Sequence, residues 1–470
     1  MDVKLHNDIL VDFIIVCADI LAVIISYLFT VILLFKQKGI YFSLQLLVTY
    51  IVVTLIMLYI YEFYKTQKRN IREIILSVLI VSFLVNAITI VIGFILGHFF
   101  ILPDKEFFMI MAITMFALLS CDKVIVSISI KYVEDKAELL VVESSAVDNA
   151  LARKIKYAYV KLHKAWYIQI DTEDKQAIQN LFENEFKQYQ GIFICPSIPE
   201  DLRNQLISKA LEEKKQIYII PDLYNTSLMK KDITNFDDTP AIRIKPFELS
   251  KNERVVKRIF DIIVASIGIL AGLPLMFLIA GLIKIDSRGS IFYYQDRVTI
   301  NKKRFNMYKF RTMVEDAESL TGPVLASEND KRITRIGKIL RAFRLDELPQ
   351  LFNVLVGDMS IVGPRPERMV FIEQYCEQIK NYEKRFLVKA GLTGTAQVYG
   401  KYTTTPEDKT LYDLLYISKY SFWLDIKIIL LTVKTIFVKE SAEGVRRQKI
   451  SQEVESAEAD GNKAAWEKWV

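Results

Sequence analysis

The chain has 470 residues, of which 52% are apolar, and a formal net charge of +6. Its length suggests roughly three domains. Long apolar runs before residue 131 exclude an ordinary soluble protein. The four cysteines lie far apart without a CxxC pair, which argues against a disulfide framework or a cysteine zinc site. No histidine follows residue 163, so chemistry in the C-terminal region must do without imidazole.

Four apolar segments come first, at about 9–35, 40–63, 74–102 and 107–130. At about 1.5 Å per residue, each is long enough to cross a hydrocarbon core of about 30 Å. Asp19 lies in the first segment, and we expect it to face a neighbouring helix. No short apolar stretch precedes a small-residue cleavage site, so we expect the first helix to be retained.

The charges of the loops predict the orientation of these segments. The loop after the second segment contains Lys65, Lys68, Arg69 and Arg72, whereas the loop after the third has only Lys105. By the positive-inside rule, the N-terminus and everything from residue 131 onward are cytoplasmic.

Residues 137–245 alternate between short apolar runs and polar helical stretches. Strands are predicted at 137–143, 191–195 and 216–221, with helices at 173–189 and 199–214. This alternation predicts a Rossmann-like α/β module with a parallel sheet. The turn after the first strand has no glycine, so we expect a structural or regulatory module rather than a dinucleotide site.

A fifth apolar segment, 259–283, is also long enough to span a membrane. Both of its flanks are basic, so the positive-inside rule favours neither side for translocation. Gly272 and Pro274 interrupt its middle, and proline removes a helical hydrogen bond. We therefore predict a helix broken at Pro274 that enters and leaves by the same membrane face. A kinked span is the alternative.

The cationic excess is confined to the region that contains this segment. Residues 251–440 carry a net charge of +9, and the rest of the chain carries −3. A cationic domain at a cytoplasmic membrane face suits an anionic lipid, a lipid phosphate or a nucleotide. No basic motif interleaved with aromatic residues supports RNA, so we expect no nucleic-acid partner.

Two basic elements lie in this region. The alternation in MYKFRTM (307–313) predicts a strand, and RITRIGKILRAFR (332–344) has apolar residues at helical spacing with basic residues on the other face. A bare basic helix is usually solvated or lies on a membrane, so these elements alone identify no site.

The run LDELPQLFNVLVGDMSIVGPRPE (345–367) adds paired carboxylates. Because Pro349 is tolerated only in a first helical turn, we expect Asp346 at or near an N-cap, with Glu347 in the first turn. There, one carboxylate could bind Mg²⁺ on a polyphosphate while the other attacks. Arg365, between two prolines, suits bidentate phosphate contact. The alternatives without a catalytic role are that the Asp-Glu pair only caps a helix and that Pro364–Pro366 is only a rigid turn.

With KFRTM, the run 345–367, GLTGTAQVYGK (391–401) and YDLLYISKYSFWLDIKIILLTV (412–433), the chain resembles the bacterial sugar transferases. These polyprenyl-phosphate hexose-1-phosphate transferases begin capsule, exopolysaccharide and O-antigen synthesis. The resemblance covers about 255–438. It implies the large monotopic type of phosphoglycosyl transferase, with an α/β catalytic domain held in the membrane by a proline-broken re-entrant helix.

The resemblance also implies roles for single residues. Asp346 would be the nucleophile that attacks the β-phosphorus of a UDP-sugar and releases UMP, and Glu347 would hold Mg²⁺. Undecaprenyl phosphate would then take the phosphosugar from Asp346. The positions that match the family's substrate-binding residues are Lys309, Arg311, Arg341, Arg365 and Asp413. Glucose-1-phosphate is favoured over galactose-1-phosphate as the cargo.

Two motifs depart from the family pattern. The usual RVGxxGK is RVTINKK (297–303), and the usual RPGxTG is KAGLTG (389–394). These are loop positions, so the departures put loop shape and sugar selectivity in doubt rather than the reaction class.

The predicted organisation has four parts in the bacterial cytoplasmic membrane. A bundle of four spans (1–131) precedes the α/β module (132–250), the catalytic domain (251–440) and a polar tail (441–470). A homo-oligomer is compatible with the extra domains. Two other functions stay open: a non-enzymatic membrane scaffold or sensor for envelope polysaccharide assembly, and a transferase whose α/β module senses a nucleotide.

Overall fold

The computed structural model describes most of the chain. The described residues are 2–38, 42–64, 71–96, 103–133, 139–144, 165–171, 174–189, 191–229, 231–236, 239–244, 246–314, 330, 332–400 and 404–437. They belong to two compact units, Met1–Asp222 and Leu223–Val470. The predicted tail 441–470, the glycine-free turn 145–149 and the basic residues 65–69 lie outside the described residues.

The first unit begins with four helices that coincide with the predicted apolar segments. They are α1 (Asp2–Lys38), α2 (Leu44–Ile60), α3 (Ile71–Ile95) and α4 (Lys105–Val133). Helix α1 packs against α2 and α4, and α3 also packs against α2 and α4. The prediction of an apolar helical bundle is confirmed; its orientation stays a prediction.

Four described helices are long and apolar enough to cross a membrane, but they are not the four expected. Three of these segments lie in the bundle, at Phe13–Phe35, Ile71–Ile95 and Lys105–Ile128, and the fourth is Lys251–Asp286. Helix α2 has 17 residues, because it begins after the Ser43 cap and ends at Ile60. At about 26 Å it is near the lower limit for a span.

Asp19 faces a neighbouring helix, as expected. It is fully buried, and its Oδ2 accepts hydrogen bonds from Lys123 Nζ of α4 (2.7 Å) and from the Tyr64 hydroxyl (2.8 Å). A buried charge is retained only with such a partner, so the pair fixes α1 against α4.

The first unit continues into an α/β module. Its four-stranded parallel sheet has the order β2-β1-β3-β4, formed by β1 (Leu139–Ser144), β2 (Ala165–Ile170), β3 (Gly191–Ile194) and β4 (Gln216–Ile219). The sequence predicted β1, β3 and β4 but not β2. The apolar residues of β2 lie between polar stretches and were not recognised as a strand. The parallel sheet is confirmed, and the finer Rossmann-like assignment stays a prediction.

The predicted helices of the module are present with different bounds. Glu200–Glu212 is a regular helix, and 173–189 is helical in three short pieces: Lys175–Asn180, a π-helical turn Leu181–Glu185 and a 3-10 turn Phe186–Gln188. Leu181, Leu202 and Leu206 pack with the inner strands in one apolar core.

The second unit begins with the helix Leu223–Leu228 and a hairpin of β5 (Lys231–Phe236) and β6 (Thr239–Ile244). The hairpin therefore lies in this unit, although the predicted α/β module extends to residue 250. The predicted boundaries at 131, 250 and 440 otherwise stay predictions.

A helix of 36 residues, Lys251–Asp286, follows, and is called here the long helix. A capping box starts it: Ser250 Oγ accepts from Glu253 N (3.3 Å), and Glu253 Oε2 accepts from Ser250 N (2.7 Å). Pro274 lies inside the helix, and the predicted interruption there is not seen. The proline removes one hydrogen bond, to the carbonyl of Leu270, and the apolar residues on both sides keep the helix continuous.

The long helix contributes a stripe to the core of the second unit. Ala265, Ile269, Met276, Ile279 and Ile283 pack together with residues of the strands and helices that follow. Their spacing of three, four and seven residues places them on one face. The re-entrant path stays a prediction.

The remaining elements surround this stripe. The strands are β7 (Phe292–Val298), antiparallel to β8 (Arg304–Phe310), and β9 (Ser360–Val362), parallel to β10 (Gly391–Thr393). The helices are Arg335–Ala342, Gln350–Val356, Met369–Gln378, Thr395–Tyr399, Pro406–Ser418 and Phe422–Phe437. The strand predicted at 307–313 is present but lies three residues earlier, and the helix predicted at 332–344 is present but shorter.

Candidate active site

Strand β8 positions Lys309 at the edge of the core. Phe305 and Met307 point inward and are buried, and Lys309 shares their face because side chains of a strand alternate. The Asn353 side chain, itself buried, accepts from Tyr308 N (2.9 Å) and donates to Asn306 O (2.8 Å). This double contact ties β8 to the helix Gln350–Val356, and so holds Lys309 beside the turn that precedes that helix.

The turn before this helix carries the paired carboxylates. Leu345–Glu347 is a single 3-10 turn, its N-cap is Arg344 with φ 54°, and the helix proper begins at Gln350 with Pro349 as its N-cap. Asp346 is therefore not an N-cap residue, which corrects the sequence-based placement. The left-handed Arg344 starts a separate turn first, and the α-helix that Pro349 begins is only 7 residues long.

Glu347 is held by two cations. Its Oε1 accepts from Arg365 Nη2 at 2.9 Å and from Lys309 Nζ at 3.3 Å. Burial raises the pKa of Glu347, but Arg365 and Lys309 outweigh it and hold that pKa far below its ordinary value. Burial lowers the pKa of Lys309 below its ordinary value, and the negative charge of Glu347 offsets only part of that decrease. Glu347 is therefore ionised at neutral pH.

Asp346 has different surroundings from its neighbour. Within the described residues its carboxylate makes no hydrogen bond and no ion pair, although its residue is only partly exposed. Burial raises the pKa of Asp346, which Lys309 and Arg341 counter and Glu347 reinforces. A carboxylate without a bound partner, surrounded by cations at greater distance, has oxygens free to attack an electrophile.

Arg365 is presented by a rigid segment. Pro364 and Pro366 restrict the backbone on both sides. Pro364 O accepts from Gly391 N (2.9 Å), and Arg365 O accepts from Arg385 Nη2 (2.9 Å). The guanidinium contacts Glu347 through Nη2, and the predicted bidentate contact with a phosphate stays a prediction.

Asp413 is linked to Arg365 only through Arg385, and among the described residues it makes no hydrogen bond or ion pair with Asp346 or Glu347. It is buried and forms an ion pair with Arg385 Nη2 through Oδ2 at 2.8 Å. Burial raises the pKa of Asp413 to about 6, although Arg385 lowers it. Its connection to the site runs through Arg385, which donates to Arg365 O and, at 2.5 Å, to the Tyr382 hydroxyl.

The other two predicted basic residues are placed differently. Arg341 Nε donates to Thr312 Oγ1 (2.9 Å), and its charge influences Asp346. Arg311 is buried and donates to the carbonyl and hydroxyl oxygens of Ser287 (2.8 Å each), just after the long helix. The structure therefore brings Lys309, Arg365 and the carboxylate pair together, with Arg341 near them, and places Arg311 and Asp413 outside this cluster.

Three contributors were not singled out from the sequence. Arg385 and Asn353 support the site as described, and Arg297 donates to Pro366 O at 3.2 Å. Arg297 lies in RVTINKK (297–303) and Asn353 in the run 345–367, both of which were usable signals, whereas Arg385 lies in no motif that the sequence singled out.

The residues present are compatible with Mg²⁺ bound on a phosphorylated substrate. Among the described residues, no group of three or more His, Cys, Asp or Glu side chains could hold a metal ion. Mg²⁺ usually takes one or two protein carboxylates and completes its shell with phosphate oxygens and water. Glu347 supplies one such carboxylate, so such an ion would depend on the phosphate oxygens of the substrate.

The region that contains these residues is similar in sequence to known proteins. Residues 252–439 match the family described as bacterial sugar transferase. A UDP-glucose:undecaprenyl-phosphate glucose-1-phosphate transferase of Klebsiella pneumoniae is 37% identical over 242 residues, 50% of this chain and 52% of that protein. A UDP-N-acetylgalactosamine-undecaprenyl-phosphate N-acetylgalactosaminephosphotransferase of Aeromonas hydrophila is 43% identical over 184 residues, 38% of this chain and 43% of that protein.

These matches span about half the length of the two relatives. A shorter relative is covered almost entirely: the uncharacterized sugar transferase EpsL of Bacillus subtilis is 36% identical over 189 residues, which make up 40% of this chain and 91% of that protein. Both the motif residues and the nearly complete coverage of this relative lead to the same assignment, and the chain belongs to the bacterial sugar transferase family.

Proposed function

We propose that this protein is an enzyme that transfers a hexose-1-phosphate from a UDP-sugar to undecaprenyl phosphate and releases UMP. The observation that carries the proposal is the division between two adjacent carboxylates: Glu347 is held by Lys309 and Arg365, whereas Asp346 has no bound partner among the residues that the structure describes. The relatives from Klebsiella pneumoniae and Aeromonas hydrophila are named for transfer to undecaprenyl phosphate, which supports this substrate class.

The proposed reaction has two displacements at one phosphorus atom. A carboxylate oxygen of Asp346 attacks the β-phosphorus of the donor, the bond to the bridging oxygen breaks, and UMP leaves with that electron pair. The phosphosugar is then a mixed anhydride with Asp346. An oxygen of undecaprenyl phosphate attacks the same phosphorus, and the Asp346 carboxylate leaves. The acceptor phosphate is already ionised, so no general base is required.

The cations of the site stabilise the charge that develops on the phosphoryl oxygens. Lys309 and Arg365 contact Glu347 in the absence of substrate and lie within reach of a phosphate bound beside Asp346. Arg341 adds a third positive charge near Asp346. We assign Glu347 as a Mg²⁺ ligand; the ion, when bound, neutralises phosphate charge and stabilises the UMP leaving group. Arg311 and Asp413 are proposed as supporting residues.

The contacts of the long helix favour a catalytic domain on one membrane face. Near the start of the helix Lys257 pairs with Asp425 (2.6 Å), and at its end Asp286 Oδ2 accepts from Ile336 N (3.0 Å). These contacts lie about 44 Å apart along the helix, yet one folded unit makes both. A helix crossing the bilayer would need that unit on both faces. We propose that the catalytic domain is monotopic, with the long helix entering and leaving the membrane by the same face. By the positive-inside rule this face is the cytoplasmic one.

The lipid-facing side of the helix agrees with this proposal. Ile267, Leu270, Phe277 and Leu278 are exposed, although they are large and apolar. Such a surface is stable only against lipid or another apolar partner.

The proposal also includes a role in capsule or exopolysaccharide synthesis, with glucose as the favoured sugar.

The test is UMP release by the detergent-purified full chain with Mg²⁺, undecaprenyl phosphate and one UDP-sugar at a time. Donors are UDP-glucose, UDP-galactose and UDP-N-acetylgalactosamine. We expect repeated turnover with one donor, dependent on both lipid and metal, at most one equivalent of UMP per enzyme without the lipid, and loss of both in Asp346→Asn. Silence with all three donors, from a folded protein beside a working relative, would reject the proposal in favour of a scaffold.

A further inference from the structure

One turn of the long helix, residues 257–261, carries three charged side chains just before the apolar stretch 262–283, and is called here the docking turn. Lys257 and Asp261 are buried, and Arg258 is half-buried. A buried charge is costly unless specific partners compensate it. The partners of these three side chains therefore identify what the turn holds in place.

Arg258 holds the segment that carries the carboxylates. Its two terminal nitrogens donate to Val354 O (2.6 Å) and Leu355 O (2.7 Å). The last carbonyls of a helix lack intrahelical partners, so this side chain caps the C-terminal end of Gln350–Val356. That helix directly continues the turn of Asp346 and Glu347, and the cap limits how far the helix can slide along its axis.

Asp261 holds the segment that leads to Arg365. Its Oδ1 accepts from Ser360 Oγ (3.0 Å) and from Ile361 N (2.9 Å), both in β9. The chain then passes through Gly363, where an added Cβ would lie 2.4 Å from Lys389 O, so the backbone is tightly confined. A displacement of β9 is therefore transmitted to Arg365 rather than absorbed by the linking residues.

Lys257 fixes the docking turn itself. It donates to Asp425 Oδ2 (2.6 Å) and to the Tyr416 hydroxyl (3.1 Å), which in turn donates to Asp425 Oδ1 (2.7 Å). Each buried charge of this group thus has a partner of opposite sign or a hydroxyl. These contacts hold the turn against the helices Pro406–Ser418 and Phe422–Phe437, and the Tyr416 hydroxyl also donates to Val362 O of β9 at 3.3 Å.

We propose that the docking turn sets the position of Arg365 relative to Glu347, with Arg258 and Asp261 as positioning residues. One helical turn contacts both the carboxylate segment and the arginine segment, which meet at the 2.9 Å contact of Arg365 with Glu347. The long helix is then part of the framework of the site as well as a membrane anchor. The kinetic consequence rests on the proposed transferase function, whereas the mechanical consequence does not.

The kinetic test is a double-mutant cycle on the full chain. Asp261→Ala should lower kcat about 10- to 100-fold, the cost of a small misplacement of a phosphate-binding group, with the donor KM changed less than about threefold. On an Arg365→Ala background it should cost less than about threefold, because its effect acts through Arg365. Asp261→Asn, which keeps an acceptor oxygen, should recover most of the activity.

Asp286→Ala is the matched control. Asp286 also accepts from a backbone N–H, that of Ile336, but from a helix that does not lead to Arg365. In the double variant, the fold reduction in kcat caused by Asp286→Ala should multiply with the fold reduction caused by Arg365→Ala. If Asp261→Ala multiplies in the same way, Asp261 acts as a general structural residue and the inference is overturned.

Hydrogen–deuterium exchange separates the inference from the proposed function. In Asp261→Ala the peptide covering 360–366 should exchange at least about tenfold faster, while the peptide covering 304–310 should be unchanged. Unchanged exchange at 360–366 overturns the inference, even in an active enzyme. If the wild-type chain releases no UMP with any donor, the transferase proposal fails, and this exchange result still decides whether the docking turn holds the arginine segment.

Discussion

Replacing Glu347 with glutamine tests the electrostatic arrangement of the site without changing its shape. The side chain of Glu347 is 12% exposed, and those of Lys309 and Arg365 are 17% and 40% exposed. A hydrogen bond to a charged group contributes about 1.5–3 kcal/mol. The Lys309 contact is shielded and keeps most of that value, whereas the better exposed Arg365 contact is screened to roughly 0.5–1 kcal/mol. We expect Glu347→Gln to destabilise the second unit by about 2–3 kcal/mol.

The assay is thermal unfolding in detergent, without Mg²⁺ or nucleotide. For a unit of this size, about 2–3 kcal/mol corresponds to a Tm lower by roughly 5–10 °C. The matched control is Glu383→Gln, because Glu383 pairs with Lys302 at 3.2 Å but the two side chains are 65% and 46% exposed. The control should shift Tm by no more than about 2 °C.

The transfer rate of Glu347→Gln should also fall at least about 100-fold, because the variant loses the charge that holds Lys309 and Arg365 and that we assign to Mg²⁺. Equal Tm shifts in Glu347→Gln and Glu383→Gln would refute the electrostatic argument. So would an unchanged Tm in Glu347→Gln, since Lys309 and Arg365 would then be equally stable without their counter-ion.

Further predictions follow from the pKa directions and from the packing. Asp346→Asn should abolish transfer yet raise Tm at pH 7, because a raised pKa means that the ionised form costs folding free energy; a lower Tm would contradict this. In the wild type, kcat/KM should fall with decreasing pH, with a midpoint above the ordinary aspartate value of 3.8. Because the pKa of Asp413 is raised to about 6, stability relative to Asp413→Asn should be greatest below pH 4 and should fall by about 3 kcal/mol as pH rises through 6, measured by unfolding across that range. Gly337→Ala should reduce the yield of folded protein, because its Cβ would lie 2.1 Å from Thr312 O; normal expression and Tm would contradict the packing.

Local patterns predicted those parts of the fold and site that depend on neighbouring residues. The alternation around Lys309 predicted a strand, and the prolines that flank Arg365 predicted a rigidly presented guanidinium. Both features follow from backbone restrictions that act over a few residues. The contact of Lys309 with Glu347 joins residues 38 positions apart, and no periodicity encodes such a distance.

The features that sequence reasoning missed depend on backbone conformation and on long-range pairing. Arg344 adopts a left-handed conformation that no residue type at this position requires, and it displaces Asp346 from the expected N-cap. Arg385 supports Arg365 through a backbone carbonyl, a contact independent of the side chain of its partner. The long helix stays continuous at Pro274, because its packing stripe on both sides outweighs one lost hydrogen bond.

The different surroundings of Asp346 and Glu347 follow from the turn that carries them. Successive side chains of a 3-10 turn point about 120° apart, so Asp346 and Glu347 leave the turn in different directions. Glu347 faces Lys309 and Arg365, and Asp346 therefore points elsewhere and has no bound cation among the described residues. Two chemically similar side chains thus obtain different surroundings from backbone geometry, and this difference is the basis for proposing Asp346 as the nucleophile and Glu347 as the metal ligand.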